Sequence, residues 1–126
     1  MTTNHTPGPW TLETVLTSCG VCHKVGPFPG RREDDKPRHA CLYADYPSES
    51  NPADQELLAN ARLIAAAPDY HDAAGWILAA VATNAAPVNP LAALEEMALD
   101  GKHVTLDAGL VLDLLKAHAK ANGERQ

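Results

Sequence analysis

The dipeptide Asn51-Pro52 divides this chain into two parts with different residue patterns. Asn is a preferred helix N-cap, and Pro is favoured at the first helical position, where its missing N–H costs no hydrogen bond. Before this point apolar residues alternate with polar ones, as in strands, and after it they recur with helical spacing. We therefore expect an α+β fold in a single domain over 1–126, with a β-rich part at 1–47 and a helical part at 51–122.

A small three-stranded antiparallel sheet is predicted for the N-terminal part, in the order of a simple meander. The predicted strands are 10–16, 21–25 and 39–46. Gly26 and Pro27 are expected to end the second strand. On the third strand one face is apolar, and the other face carries Cys41, Tyr43 and Asp45.

About four helices are predicted to pack with this sheet. The first begins at Pro52 and has an apolar stripe of Leu57, Leu58, Ala61, Ile64 and Ala65. Pro68 cannot donate a hydrogen bond to the preceding turn, so the first helix is expected to end or kink there. A second helix is then predicted from about Asp69 to Thr83.

Capping signals place the last two helices. Asn89-Pro90 repeats the opening signal, and Asp100-Gly101 is expected to close this short third helix. Thr105 is predicted to cap the fourth helix. Asn122-Gly123 is the expected end of that helix, because Gly readily adopts the left-handed conformation found after a helix C-cap.

The cysteines suggest a possible metal site. Two residues separate Cys19 from Cys22 on a predicted turn, so both thiolates can reach one tetrahedral Zn²⁺. If the first and third strands are neighbours, His39 and Cys41 complete the ligand set. The sequence leaves two interpretations open: a structural zinc site formed by these four residues, or three ordinary reduced cysteines without a cofactor.

Two other chemistries share this segment and are disfavoured. Residues 19–23 match the short c-type haem attachment pattern, but no export signal precedes them. A thioredoxin-like pair usually lies at a helix N-terminus that lowers a thiol pKa, and no helix is predicted after Cys22.

The charge of the chain is concentrated in its helical part. The formal net charge is −6, and residues 51–126 hold five Lys or Arg against ten Asp or Glu, a net charge of −5. Direct nucleic acid binding is not expected, because it needs clustered Lys and Arg. An acidic surface suits a basic partner, with Glu95 and Glu96 as candidate partner-binding residues, or it serves solubility alone.

No targeting or catalytic signature is visible. The N-terminus has no basic run followed by an apolar stretch, and the longest apolar run, from Ala73 to Val81, is too short to span a bilayer. A cytoplasmic protein that does not act on membranes is therefore expected. Phosphate-binding Gly-rich loops and nucleophile elbows are missing from the sequence, so a binding protein is favoured over an enzyme.

Two strings carry a family resemblance. Residues 5–10 read HTPGPW and residues 60–69 read NARLIAAAPD. Together they resemble a family of small proteins encoded by tailed phages and prophages, in which a similar opening leads into a short β region and then a helix. Within these strings Trp10 is expected to pack against Leu57, Leu58 and Ala61. Arg62 is expected to tie its helix to the sheet or to face a partner.

The resemblance implies a function as an accessory protein that acts on the bacterial host. Such proteins engage a host factor, and the leading specific case is inhibition of a bacterial defence system, as by an anti-CRISPR protein. The partner would then be a host protein in the bacterial cytoplasm, such as a defence complex that handles nucleic acid. A zinc-stabilised adaptor or regulatory module and a nucleotide-sequestering protein are the alternatives.

Overall fold

The computed structural model describes residues 5–30, 32–84 and 90–124. Within these ranges three strands precede three helices. The elements are β1 (Thr11–Leu16), β2 (Gly20–Phe28), β3 (Arg38–Asp45), α1 (Pro52–Asn84), α2 (Pro90–Leu99) and α3 (Ala108–Ala121). The predicted α+β class, with the sheet at the N-terminus and the helices after it, is confirmed.

The strands form an antiparallel sheet in the order β1-β2-β3, as the meander predicts. β1 and β3 are therefore not neighbours, and the condition attached to the predicted zinc site is not met. The predicted end of β2 at Gly26 is wrong as well. The pairing of β2 with β3 is irregular between Val25 and Phe28, and the strand continues past Gly26 to Phe28.

Pro68 does not divide the helix, so the chain has one long helix where two were predicted. Proline inside a helix removes one hydrogen bond and crowds the preceding turn, at a cost of about 3 kcal/mol. Here the Pro68 ring is buried and packs against the N-terminal segment: a Cβ placed on Gly8 would lie 2.8 Å from Pro68 Cβ. This tertiary contact offsets the local penalty.

The helix ends follow capping rules. The Asn51 side chain accepts a hydrogen bond from the Ala53 N–H at 3.0 Å, which confirms the predicted cap of α1. Thr105 does not cap α3, because Asp107 accepts from the Gly109 N–H at 2.8 Å and starts the helix later. Gly123 has a φ of 75° at the predicted end. The opening at Asn89 lies outside the described residues.

α1 and α3 pack antiparallel through small side chains. Among the described residues the buried apolar set is seven alanines and two valines: Val25, Ala44, Ala61, Ala65, Ala66, Ala73, Val81, Ala117 and Ala121. Polar contacts fix the helix register: Lys120 Nζ lies 2.7 Å from Asp69 Oδ2, and Tyr70 Oη lies 2.8 Å from His118 Nδ1. A core of alanines buries little apolar area per residue, so each large side chain counts.

Trp10 lies at the junction of sheet and helix. Its ring packs edge-on against Phe28, with ring centroids 5.1 Å apart. The neighbouring Gly8 contacts Pro68, and Leu12 shares a cavity wall with Ala65. These contacts bring the neighbours of Trp10 against α1 near Ala65, a residue of the predicted apolar stripe, and packing of the Trp10 ring on that stripe stays a prediction. Within the described residues its buried Nε1 has no hydrogen-bond partner.

Candidate functional site

The two strings that carry the family resemblance meet in space. Gly8 contacts Pro68, and the rings of His5 and His71 have centroids 4.6 Å apart. The first strand residues, Thr11 and Leu12, line a cavity together with Arg62 and Ala65. Both strings therefore take part in holding the sheet on α1, which is a structural role.

Arg62 joins α1 to the end of α3. A Cβ placed on Gly123 would lie 2.7 Å from Arg62 Nε, so the guanidinium group lies against the residue that follows the helix. A cation at a helix C-terminus is stabilised by the helix dipole. Arg62 also lines a cavity with Thr11 and Leu12 of β1, and a tie to the sheet stays a prediction.

Cys22 and Cys41 form a disulfide between β2 and β3. The prediction of three reduced cysteines is therefore wrong for this pair. The reason is the strand register: Cys22 lies opposite Tyr43, and Cys41 lies opposite Lys24, so the two cysteines are diagonal neighbours on one face of the sheet.

The predicted zinc ligands are not brought together. Cys19 is a free, exposed thiol, and Cys22 and Cys41 are bonded to each other. Across residues 5–30, 32–84 and 90–124 no group of three or more His, Cys, Asp or Glu side chains is placed to hold a metal ion. Zinc binding by Cys19, Cys22, His39 and Cys41 requires the reduced chain and stays a prediction. His23, part of the haem-like pattern, is buried and hydrogen-bonded to Thr14 at 2.9 Å.

A thiol and a phenol form a polar cluster at one end of the sheet. Cys19 Sγ lies 3.3 Å from Tyr43 Oη, and the Tyr43 hydroxyl donates to Asp45 Oδ1 at 3.3 Å. The hydrogen bond with Tyr43 is the main cause that lowers the pKa of the Cys19 thiol, and the same bond raises the pKa of Tyr43. A lowered pKa increases the thiolate fraction and hence the reactivity of an exposed cysteine.

Sequence reasoning did not identify this cluster, although one signal was present. Tyr43 and Asp45 alternate on the polar face of β3, and Gly20 follows Cys19. Gly20 is required by close approach, because a Cβ there would clash with Tyr43 Oη and with the Ala44 carbonyl oxygen. Gly20 thus leaves room for the Tyr43 side chain to cross over the backbone at this strand end.

A cleft of about 740 Å³ lies between the end of α1, α2 and the segment that leads to α3. Its lining combines apolar side chains with acidic and basic ones. The lining residues are Ala80, Val81, Ala93, Glu96, Met97, Asp100, Lys102, His103, Val104, Thr105 and Leu106. This volume falls within the range of about 300–1,000 Å³ that is typical of ligand pockets.

One of the two candidate partner-binding residues lines this cleft. Glu95 and Glu96 are both exposed on α2, and Glu96 also lines the cleft. Asp100 extends the acidic edge at the end of the helix, and Lys102 Nζ lies 4.0 Å from its carboxylate. The exposed carboxylates of Glu96 and Asp100 thus share a cleft with apolar side chains such as Val81 and Met97.

The long helix α1 does not have the apolar character of a membrane span. Across the described residues no helix combines the length and hydropathy needed to cross a bilayer.

Comparison with known proteins identifies one protein family. Residues 1–125 match the sequence model of the family described as Salmonella phage P22 protein Y8K6. No curated protein and no solved structure matches the chain.

Proposed function

The chain belongs to the family of the Salmonella phage P22 protein Y8K6, and we propose that this phage-encoded accessory protein binds a host protein and inhibits it. The proposed target class is a bacterial defence complex that handles nucleic acid, so that the protein acts as an anti-CRISPR or related anti-defence protein. Family membership gives a phage protein, and the effect on the host is what we propose.

One observation carries the choice of binding surface: the acidic edge of α2 borders a cleft whose lining includes apolar side chains. Glu95, Glu96 and Asp100 are exposed along this edge, and Val81 and Met97 are among the apolar residues of the cleft. A Lys or Arg side chain has an apolar stem and a charged head, and it needs both kinds of surface at once. A basic loop of a host protein fits this combination.

The charge distribution supports the same partner. Residues 51–126 have a net charge of −5, from five Lys or Arg and ten Asp or Glu. Complexes that handle nucleic acid present basic channels, and opposite potentials accelerate association. Dissolved ions screen the attraction between surface charges over about 10 Å at 0.1 M salt. We therefore expect association with the host protein to slow as the salt concentration rises.

The test is capture of host proteins from a bacterial lysate with three forms of the tagged protein. The first is the wild type, the second carries Glu95→Lys and Glu96→Lys, and the third carries Glu33→Lys and Asp34→Lys in the loop between β2 and β3. The two double variants change the charge equally. Loss of a specific partner in the α2 variant alone supports the proposal. Equal loss in both variants, or loss in the loop variant alone, contradicts it.

A second candidate function, nucleotide binding, is favoured by the basic residues of the same cleft. Lys102 and His103 line it together with Thr105, and these side chains can contact phosphate oxygens. A thermal-shift series with nucleotides and cyclic nucleotides is the direct measurement. A ligand at about 100 times its Kd stabilises the protein by roughly 2.7 kcal/mol. The shift should disappear in Lys102→Ala, and a series without any shift contradicts this function.

A further inference from the structure

A cavity of about 560 Å³ lies where β2 ends and β3 begins. It shares no lining residue with the cleft beside α2. The residues that line it are Thr6, Phe28, Pro29, Gly30, Arg32, Asp35 and Arg38. Its volume falls within the range of about 300–1,000 Å³ that is typical of small-molecule sites. We call it the loop cavity.

The segment that forms the loop cavity is basic in an otherwise acidic chain. Residues 24–38 hold five Lys or Arg against three Asp or Glu, a net charge of +2, whereas the whole chain has a net charge of −6. Two of these cations, Arg32 and Arg38, line the cavity, and both are exposed. Within the described ranges neither guanidinium group takes part in an ion pair or a hydrogen bond. Two such positive charges in one cavity attract an anion.

The strand register places one of these cations beside an aromatic ring. Phe28, the last residue of β2, lies opposite Arg38, the first residue of β3. Side chains directly opposite each other in an antiparallel pair have Cβ atoms about 4.5–5.5 Å apart, so the two side chains border the same space. Trp10 packs edge-on against the Phe28 ring with centroids 5.1 Å apart, which fixes the position of that ring.

The loop between β2 and β3 fixes the backbone of the second cation. Asp35 Oδ2 accepts a hydrogen bond from the Arg32 N–H at 3.1 Å, and the Asp35 N–H donates to the Arg32 carbonyl oxygen at 3.1 Å. Asp35 is the one carboxylate among the described residues that line the cavity. A carboxylate has acceptor capacity for several hydrogen bonds, so Asp35 can also accept from the hydroxyl groups of a ligand.

We propose that the loop cavity binds a free nucleotide, with its phosphate group on Arg32 and Arg38 and its base against Phe28. A phosphate group carries about two negative charges and three terminal oxygens, so it can engage two guanidinium groups, whereas one guanidinium group satisfies a carboxylate. An aromatic side chain stacks on any base, and Thr6 and Asp35 supply polar groups for the ribose. A nucleic acid strand fits less well, because its many phosphates meet a chain of net charge −6.

Titration calorimetry of the wild type tests the ligand class. The ligands are the ribonucleoside monophosphates of all common bases, the corresponding nucleosides and inorganic phosphate. We expect at least one nucleotide to bind about tenfold or more tightly than its nucleoside and than inorganic phosphate, because each fragment contacts only part of the cavity. Inorganic phosphate that binds as tightly as every nucleotide, or no binding of any nucleotide at millimolar concentration, overturns the proposal.

A matched pair of variants locates the site. Arg38→Ala is expected to raise the Kd of the nucleotide about 10–100-fold, because it removes hydrogen bonds to a charged group. Lys36→Ala is the control: Lys36 is an exposed cation of the same loop that does not line the cavity, and its loss changes the charge equally. It should change the Kd less than about threefold. Equal effects of the two variants contradict the assignment.

Lys102→Ala separates this site from the cleft beside α2, which Lys102 lines. We expect nucleotide binding to survive in Lys102→Ala and in the variant with Glu95→Lys and Glu96→Lys. Loss of the nucleotide in Lys102→Ala, with normal binding in Arg38→Ala, would place it in the cleft and overturn the proposal. Host capture through α2 is measured separately, so either result can fail without the other.

Discussion

The two ends of α1 differ in what covers them. Near Ala61, Ala65 and Pro68 the helix is buried by the sheet, by the N-terminal segment and by the end of α3. Beyond Ala73, large side chains such as Trp76 remain exposed, and the helix borders an open cleft. The comparison teaches that the fold is secured at one end of the long helix. The other end is left available for contacts with other molecules.

The two tryptophans give the largest expected contrast. Trp10 packs on Phe28 at the buried end, and Trp76 is 65% exposed at the other end. Trp10→Ala should lower the free energy of unfolding by roughly 3–5 kcal/mol and can prevent folding, because it removes the largest side chain at the junction. Trp76→Ala should change it by only about 0.5 kcal/mol. Chemical denaturation measures both, and equal losses would remove the distinction between the two ends.

Glycine 8 should be sensitive for a steric reason. A Cβ at this position lies 2.8 Å from Pro68 Cβ, so the N-terminal segment must move off the helix. Gly8→Ala should cost about 1–3 kcal/mol, the usual penalty of an added methyl group in a packed site. Calorimetry gives the value, and a neutral outcome would mean that the Gly8–Pro68 contact does not secure the helix across Pro68.

The cap at Asn51 should have a smaller effect. Asn51→Ala removes the acceptor of the Ala53 N–H and should lower stability by about 1 kcal/mol. Asn60→Ala is the matched control, because Asn60 lies inside α1 and alanine favours the helix there. A midpoint of denaturation that stays constant for Asn51→Ala would show that the helix begins elsewhere.

Gly75→Ala should act in the opposite direction from Gly8→Ala. Within the described part of the chain nothing lies within 4 Å of a Cβ placed on Gly75, which is inside α1. Alanine should then stabilise the protein by about 0.5–1 kcal/mol through its higher helix propensity. A destabilised Gly75→Ala protein would reveal packing at the end of α1 that we describe as open.

A substitution in the sheet should have a smaller effect, which is on the reactivity of the Cys19 thiol. The Tyr43 hydroxyl lowers the pKa of the Cys19 thiol, so Tyr43→Phe should raise that pKa and slow alkylation near neutral pH. Cys22 and Cys41 do not react while they are bonded to each other, and the signal therefore reports Cys19. An identical pH profile of alkylation in both proteins would rule out the hydrogen bond as the cause.

Local rules predicted much of the fold. The caps at Asn51 and Gly123 and the two faces of β3 follow from the preferences of single residues and from strand alternation. The predicted helix end at Pro68 is wrong because the contact of Pro68 with Gly8 joins segments that are far apart in the sequence. Asp107, and not Thr105, caps α3. Both side chains can accept a hydrogen bond from the first turn of a helix, and residue preferences alone do not distinguish between them.

The candidate sites were less predictable, since they depend on which strands are neighbours. Cys22 and Cys41 pair only because β2 and β3 are adjacent in one particular register. Charge alone points to Glu95 and Glu96, and the cleft that Glu96 lines is formed by segments from three parts of the chain. Such a cleft has no local sequence signal.

Hydrogen exchange of the protein alone and in complex with its captured host partner tests the central claim most directly. Our account predicts that the partner slows exchange in α2 and in residues 100–106, while the amides of β1, β2 and β3 keep their rates. Protection confined to the sheet, with α2 unchanged, would contradict the assignment of the structural and contact ends of the molecule.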